Sequence, residues 1–204
     1  MRNYATIEHI GDGKDPTYDR DIVDMILAQD VVMAPTIIAL EGVHKIVGDQ
    51  GLLEDPRWSE FLPADIFADI KRSYTDVDLT AHPIFQRNED DRVFRDSKLK
   101  QLSDAGAIFA VSADSGTRGN PHHNAMWREM VLTQTVTGKP SLEIIHMATQ
   151  VNAKVLGMED KLGTLSVGKL ADILIIDGNP LADLSALDNP QTVIKDGIIY
   201  KHKD

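Results

Sequence analysis

Residues 31–40 read VVMAPTIIAL, a nearly unbroken apolar run with several β-branched side chains. Such a run is typical of a strand covered on both faces, the situation of strands in a parallel sheet. Parallel strands need crossover helices between them, so the neighbouring segments are constrained as well. They comply. Residues 4–10, YATIEHI, form a short strand that runs into Gly11-Asp12-Gly13. Residues 19–29, DRDIVDMILAQ, place Ile22, Val23, Ile26 and Leu27 at helical spacing, with acids early in the segment. Lys98 to Ala105 closes another helix, with Gly106 as its stop. A third apolar run, Ile108 to Val111, then leads to Asp114.

Two more helices are expected. One spans about Ala125 to Thr135 with Asn124 as its cap. The other starts at Pro140, directs Leu142, Ile145, Thr149, Ala153 and Leu156 inward, and stops at Gly157. Beyond Gly157 the pattern changes to turns and short strands. Ala171 to Ile176 is a strand, and Val193 to Lys195 and Ile198 to Tyr200 flank the two-residue turn Asp196-Gly197. Strand–helix alternation therefore occupies residues 1–157, with a small all-β piece over 158–204. The stretch from Glu41 to about Arg92 is polar and irregular, with helical turns expected around Pro63 to Tyr74. The fold class is α/β.

Composition narrows function by exclusion. The 204 residues carry a formal net charge of -11, so there is no basic footprint for nucleic acid or an anionic membrane. There is no Cys, which rules out disulfides, thiolate zinc sites and a Cys nucleophile. The start, Met1 to Thr6, has no apolar leader, and no run approaches membrane-spanning length, so a cytoplasmic protein is expected.

The chemistry-bearing residues cluster at strand ends. Asp114 ends the third apolar run and precedes Ser115-Gly116-Thr117, which suits either a turn-forming Asp or a functional carboxylate. Seven His stand at positions 9, 44, 82, 122, 123, 146 and 202. His122 and His123 are close enough in sequence to Asp114 to share a metal with it, or else sit in a solvated loop. His44 follows the second strand, where a substrate loop would lie, or is a surface His. His146 reads as structural and His202 as a tail residue. Glu8 adjoins His9 but points to the opposite strand face. Glu129, on the helix after the His pair, either orients a ligand from behind or occupies a solvated helix face; helical position alone favours the latter.

The phrases ATIEHIGDG, VVMAPTI, AIFAVSADSG, HMATQVNAKVLGMEDKLGTLSVGKLADILIIDGNPLADL and VIKDGIIYK occur in that order. Together they resemble the C-terminal half of the amidohydrolase superfamily, in particular its imidazolonepropionase-like and prolidase-like members. The resemblance implies a partial (β/α)8 TIM-type barrel of about three β/α units over 1–157, the last three strands with their helices. It implies part of a small β-sandwich over 158–204. It also implies metal-dependent hydrolysis of an amide, cyclic amide or ester in a small-molecule substrate. By the same resemblance His9 is a metal ligand, and Asp114 is both a ligand and the group that takes the proton from the attacking water. His122 and His123 are candidate additional ligands, and His44 is a candidate substrate contact. The implied cofactor is a divalent metal, zinc first, with manganese, iron or nickel also admitted by His and carboxylate ligation.

The superfamily's remaining ligands include a His-x-His pair, which no two His of this chain form. A complete barrel also takes about 250 residues. The second expectation is therefore a non-catalytic or half-enzyme interaction module that requires a separate N-terminal half. Three parallel strands cannot close a barrel, so their unpaired edges call for a homo-oligomer or for that complementary half.

Overall fold

The computed structural model describes residues 5–11, 15–39, 41, 53–58, 62–75, 89–116, 120 and 122–202. Strands β1 (Thr6–Glu8), β2 (Val32–Ala34) and β3 (Ile108–Phe109) form a parallel sheet in the order β1-β2-β3. Register places Thr6 opposite Val32 and Val32 opposite Ile108. All three strands therefore end on the same edge. The strand in 31–40 is shorter than its apolar run: it stops before Pro35, Thr36 turns left-handed (φ 49°), and residues 37–39 form a helical turn.

Helix α1 (Arg20–Ala28) crosses from β1 to β2 and buries Val23 and Ile26, while Ile22 stays 40% exposed. Helix α2 spans Ala64–Thr75, where helical turns were expected. Helix α3 (Glu89–Asp104) begins inside the stretch that reads as irregular and ends at Gly106, whose φ of 91° favours glycine. Between β2 and β3 the crossover is long, and α4 (Ala125–Thr137) follows β3. One core gathers Ile10, Val23, Ile26, Met33, Ile37, Leu99, Leu102, Phe109, Val111, Met130 and Ile144, among others, behind the sheet.

The segment after Pro140 departs from expectation in its buried face. It comprises α5 (Ser141–His146), a π-helical turn over Met147–Val151 and α6 (Asn152–Val155). Ser141, Ile144, Met147, Val151 and Ala153 are buried, whereas Leu142 and Leu156 are 65% and 66% exposed. A π turn takes an extra residue, so a uniform 3.6-residue period cannot hold across it.

The C-terminal residues form a second, antiparallel sheet of β4 (Ile173–Ile176), β5 (Pro190–Lys195) and β6 (Ile198–His202). Asp196 (φ 50°) and Gly197 (φ 78°) make the expected hairpin turn, with both central residues left-handed. Leu184, in the 3-10 turn Leu184–Asp188, is 1% exposed and belongs to the core behind the parallel sheet. Residues beyond 157 thus help close the core of those before it. No described helix is long and apolar enough to cross a membrane.

Candidate active site

At the C-terminal edge of the parallel sheet, each strand leads into a non-glycine residue with left-handed backbone. These are His9 (φ 65°) after β1, Thr36 (φ 49°) after β2 and Asp114 (φ 50°) after β3. A left-handed L-residue costs roughly 1–2 kcal/mol, so each must be held by its surroundings. The ladder continues to the edge itself: His9 N–H donates to Ala34 O at 2.9 Å, and Ala110 N–H donates to Met33 O at 2.9 Å.

His9 and Thr36 meet side chain to side chain. His9 Nδ1 lies 2.5 Å from Thr36 Oγ1, and Thr36 Oγ1 donates its own proton to Pro35 O at 2.8 Å. With that proton on Pro35 O, the hydroxyl accepts from the ring. In that arrangement Nδ1 carries the ring proton and Nε2 keeps its lone pair, as suits a ligand or base; in the other tautomer the hydroxyl donates to Nδ1. His9 is exposed while Thr36 is 2% exposed, so the contact is anchored on its buried side.

Beneath Thr36, Glu129 is fully buried. It is not on a solvated helix face, contrary to the expectation from its position alone. Its two oxygens accept from Ile37 N–H at 3.0 Å and Ile38 N–H at 2.7 Å. Burial pushes its carboxyl up to about 7, against the opposing pull of the Ile38 and Ile37 hydrogen bonds and of Arg95. Arg95, 4% exposed, donates to Ile37 O at 3.4 Å and pairs with Asp96 at 2.8 Å.

Asp114 is placed by two asparagines. Asn152 on α6 clips the backbone of Val111, accepting from its N–H at 3.0 Å and donating to its C=O at 2.8 Å. Buried Asn120 donates through Nδ2 to Ala113 O and to Asp114 O, the latter at 3.1 Å, and its own carbonyl accepts from Gly116 N–H at 3.0 Å. The Asp114 side chain remains exposed. Gly116 has φ 97°, and a Cβ there would stand 3.1 Å from His122 Nε2, so the His122 ring lies against the turn that carries Asp114.

His123 faces elsewhere. Its Nε2 is 3.3 Å from Asp55 Oδ2, and its ring packs edge-on against Trp58 with centroids 5.1 Å apart. Burial lowers the pKa of His123, with Asp55 opposing. Arg57 joins this cluster to the 3-10 turn, 2.7 Å from Asp55 and 2.6 Å from Asp188. Hydrogen bonding from Arg57 holds Asp55 down at about 2. His44 lies outside the described residues.

The edge thus carries two separate groups, His9 with Thr36 and His122 beside the turn of Asp114, and turns His123 toward Asp55. Neighbouring strands stand about 4.8 Å apart, so the ends of β1 and β3 flank a gap of about 10 Å above β2. Among the described residues, no three His, Asp or Glu side chains form a group that could hold a metal ion. A catalytic zinc takes three protein ligands. The described donors alone therefore do not fit a self-sufficient metal centre. Thr36, Asn120 and Asn152 carry no motif of their own in the sequence; the only local signal is a hydroxyl residue directly after the proline that ends β2.

The model of the amidohydrolase family matches residues 87–199. Two 5-methylthioadenosine/S-adenosylhomocysteine deaminases are similar in sequence. The one from Moorella thermoacetica is 31% identical over 85 residues, covering 39% of this chain and 20% of the deaminase. The one from Teredinibacter turnerae is 52% identical over 46 residues, covering 22% and 10%. Among solved structures, a Xaa-Pro dipeptidase with methionine bound in its active site superposes with a TM-score of 0.67 at 28% identity, over 98% of this chain and 40% of the dipeptidase. A putative prolidase from Bifidobacterium longum gives 0.67 at 27% identity, over 98% and 43%. This chain spans about two fifths of the length of these structural relatives.

Proposed function

The chain belongs to the amidohydrolase family, and from that premise we propose that it is a hydrolase cleaving an amide, cyclic amide or ester at the C-terminal edge of its parallel sheet. In this reading residues 1–157 are about three β/α units of a (β/α)8 barrel, and 158–204 are part of a β-sandwich. The observation that carries it is the placement of His9 and Asp114, both exposed, at the ends of β1 and β3 on one edge of the sheet, with His9 held through Nδ1 by Thr36. Strand C-termini are where barrel enzymes keep their reacting groups.

Asp114 takes the base's role. Water attacks the carbonyl carbon, a C–O bond forms, and the carboxylate accepts the proton that water releases. The C–N or C–O bond then breaks, and Asp114 returns that proton to the leaving nitrogen or oxygen. His9, fixed through Nδ1, presents Nε2 to the same space. A divalent ion, zinc first, belongs to this reading only with donors beyond those described, so no step is assigned to it.

Asp114→Asn tests the proposal. It keeps the side-chain size, and Asn is well tolerated in turns, so stability should stay near wild type. Hydrolysis of a panel of chromogenic amides and esters should fall by about 10²-fold or more. Equal rates for variant and wild type across the panel would return Asp114 to a turn-forming role.

A half-enzyme reading is favoured by a separate observation. Besides the absence of a three-donor group among the described residues, a groove of about 650 Å³ lined by Leu156, Leu165, Leu170 and Leu174 opens between α6 and β4. Leu165 in its lining is 80% exposed, and Ile198, Ile199 and Tyr200 on β6, on the far side of β5 from β4, are 59–70% exposed. In this second reading a complementary N-terminal half covers the groove and supplies the missing donors. Light scattering of the isolated chain at micromolar concentration should then show self-association through the uncovered surface. A stable monomer would count against it.

A further inference from the structure

Glu129 makes no contact with the candidate reacting groups, yet it lies at the base of the structure that holds one of them. Its carboxylate, carried by α4, accepts from two successive backbone N–H groups, Ile37 and Ile38. Those donors open the helical turn 37–39, whose first N–H groups have no partner within the turn. A buried N–H left unpaired is costly, and a carboxylate is the strongest acceptor available for it. Arg95 adds a donor to the carbonyl of Ile37, so the turn is gripped through both polar groups of one residue.

The residue directly before this turn is Thr36. Its left-handed backbone is unfavourable by itself and needs support from outside. Its hydroxyl, with the proton engaged by Pro35 O, is the acceptor for His9 Nδ1. The links are contiguous: a buried carboxylate, two amides, a constrained threonine, an imidazole. We infer that Glu129 is a positioning residue, which holds Thr36 through the backbone of Ile37 and Ile38 and thereby fixes the orientation and tautomer of His9. Its consequence for hydrolysis rests on the reading of His9 as a site residue; its effect on the imidazole does not.

The imidazole nitrogens report the link directly. Long-range 1H–15N NMR of the full chain, with His9 assigned by its loss in His9→Gln, should show the Nδ1–H tautomer in wild type. Glu129→Gln keeps one acceptor but turns an amide NH2 toward a backbone N–H. Glu129→Asp keeps the carboxyl but is one methylene short. Either should move the His9 tautomer ratio toward Nε2–H by roughly tenfold, the scale of one net hydrogen bond. Thr36→Val should do the same, and Thr36→Ser, which keeps the hydroxyl, should restore the wild-type ratio. Ile144→Ala, a truncation at a fully buried core position, should destabilise the protein and leave the ratio unchanged.

A wild-type tautomer in folded Glu129→Gln or Glu129→Asp overturns the inference. So does an equal shift in Ile144→Ala, which would make Glu129 merely structural. Should both Glu129 variants fail to fold, loss of Nδ1–H in Thr36→Val with retention in Thr36→Ser supports the link, and retention in both overturns it. These spectra need no substrate, so an inactive wild type would sink the proposed hydrolysis without touching this result.

Discussion

Replacing Glu129 by Gln should change how stability depends on pH, and the sign follows from burial. The ordinary glutamic acid value is 4.5, and burial pushes the folded group up to about 7. Between these values the folded chain keeps a proton that the unfolded chain has released. Stability therefore falls as pH rises through this window, because the unfolded state binds fewer protons. The gap from 4.5 to about 7, at about 1.4 kcal/mol per pH unit, amounts to about 3 kcal/mol. Arg95 faces the carboxylate and opposes the rise, while Glu41 adds to it. Gln is neutral throughout, so it does not take part in this titration. The stability of wild type relative to Glu129→Gln should thus fall by about 3 kcal/mol between pH 4 and pH 8. Urea unfolding of both proteins at half-unit pH steps, followed by fluorescence of Trp58 and Trp127, measures it. Taking the difference cancels the other titrating groups. A difference that stays flat within about 1 kcal/mol from pH 4 to 8, or grows with pH, refutes the argument.

Other substitutions test the remaining supports. Asn152→Ala strips the partners from both polar groups of Val111, and should lower stability by about 2–4 kcal/mol by urea unfolding; a loss under about 0.5 kcal/mol would show that water or the backbone replaces the clip. Gly163 has φ 85°, and a Cβ there would lie 2.8 Å from Ala153 Cβ and 3.1 Å from Gln150 Cα. Gly163→Ala should therefore cost about 2 kcal/mol through strain and overpacking against the π-helical segment, read as a lower Tm; an unchanged Tm would mean that the approach is looser than the geometry shows.

What the sequence discloses here is what local chemistry decides. The hairpin at Asp196-Gly197 was legible because two adjacent left-handed positions restrict which residues fit, and both residues appear side by side. The strand before His9 was legible, and the apolar run before Asp114 marked β3, although that strand ends at Phe109, five residues short of Asp114. The buried face of 141–155 was not legible, because a π turn breaks the period from which faces are read. The role of Glu129 was hidden for a different reason. A Glu on a helix is normally solvated, and the backbone donors that make burial tolerable lie 91 and 92 residues away in the chain. Thr36, Asn120 and Asn152 act through backbone contacts, which leave no spacing or periodicity to detect.

Backbone conformation links these supports to chemistry. A strand continued in extended geometry sends successive side chains to opposite faces of its sheet, so extended ends would aim the edge residues up or down rather than across the rim. A left-handed residue at each end breaks that alternation and lets His9 and Asp114 project from the edge while the ladder behind them stays paired. The unfavourable conformation has to be offset by contacts made elsewhere, and two of the supports are polar side chains from the helical segments behind the sheet. Glu129 on α4 serves the β2 end and Asn152 on α6 serves the β3 end. For His9 the support is lateral, from Thr36, which itself depends on Glu129. The His9 side chain is therefore held through the end of β2, while α4 also packs through Ala125 against Ala113, beside Asp114, so one helix supports both strand ends.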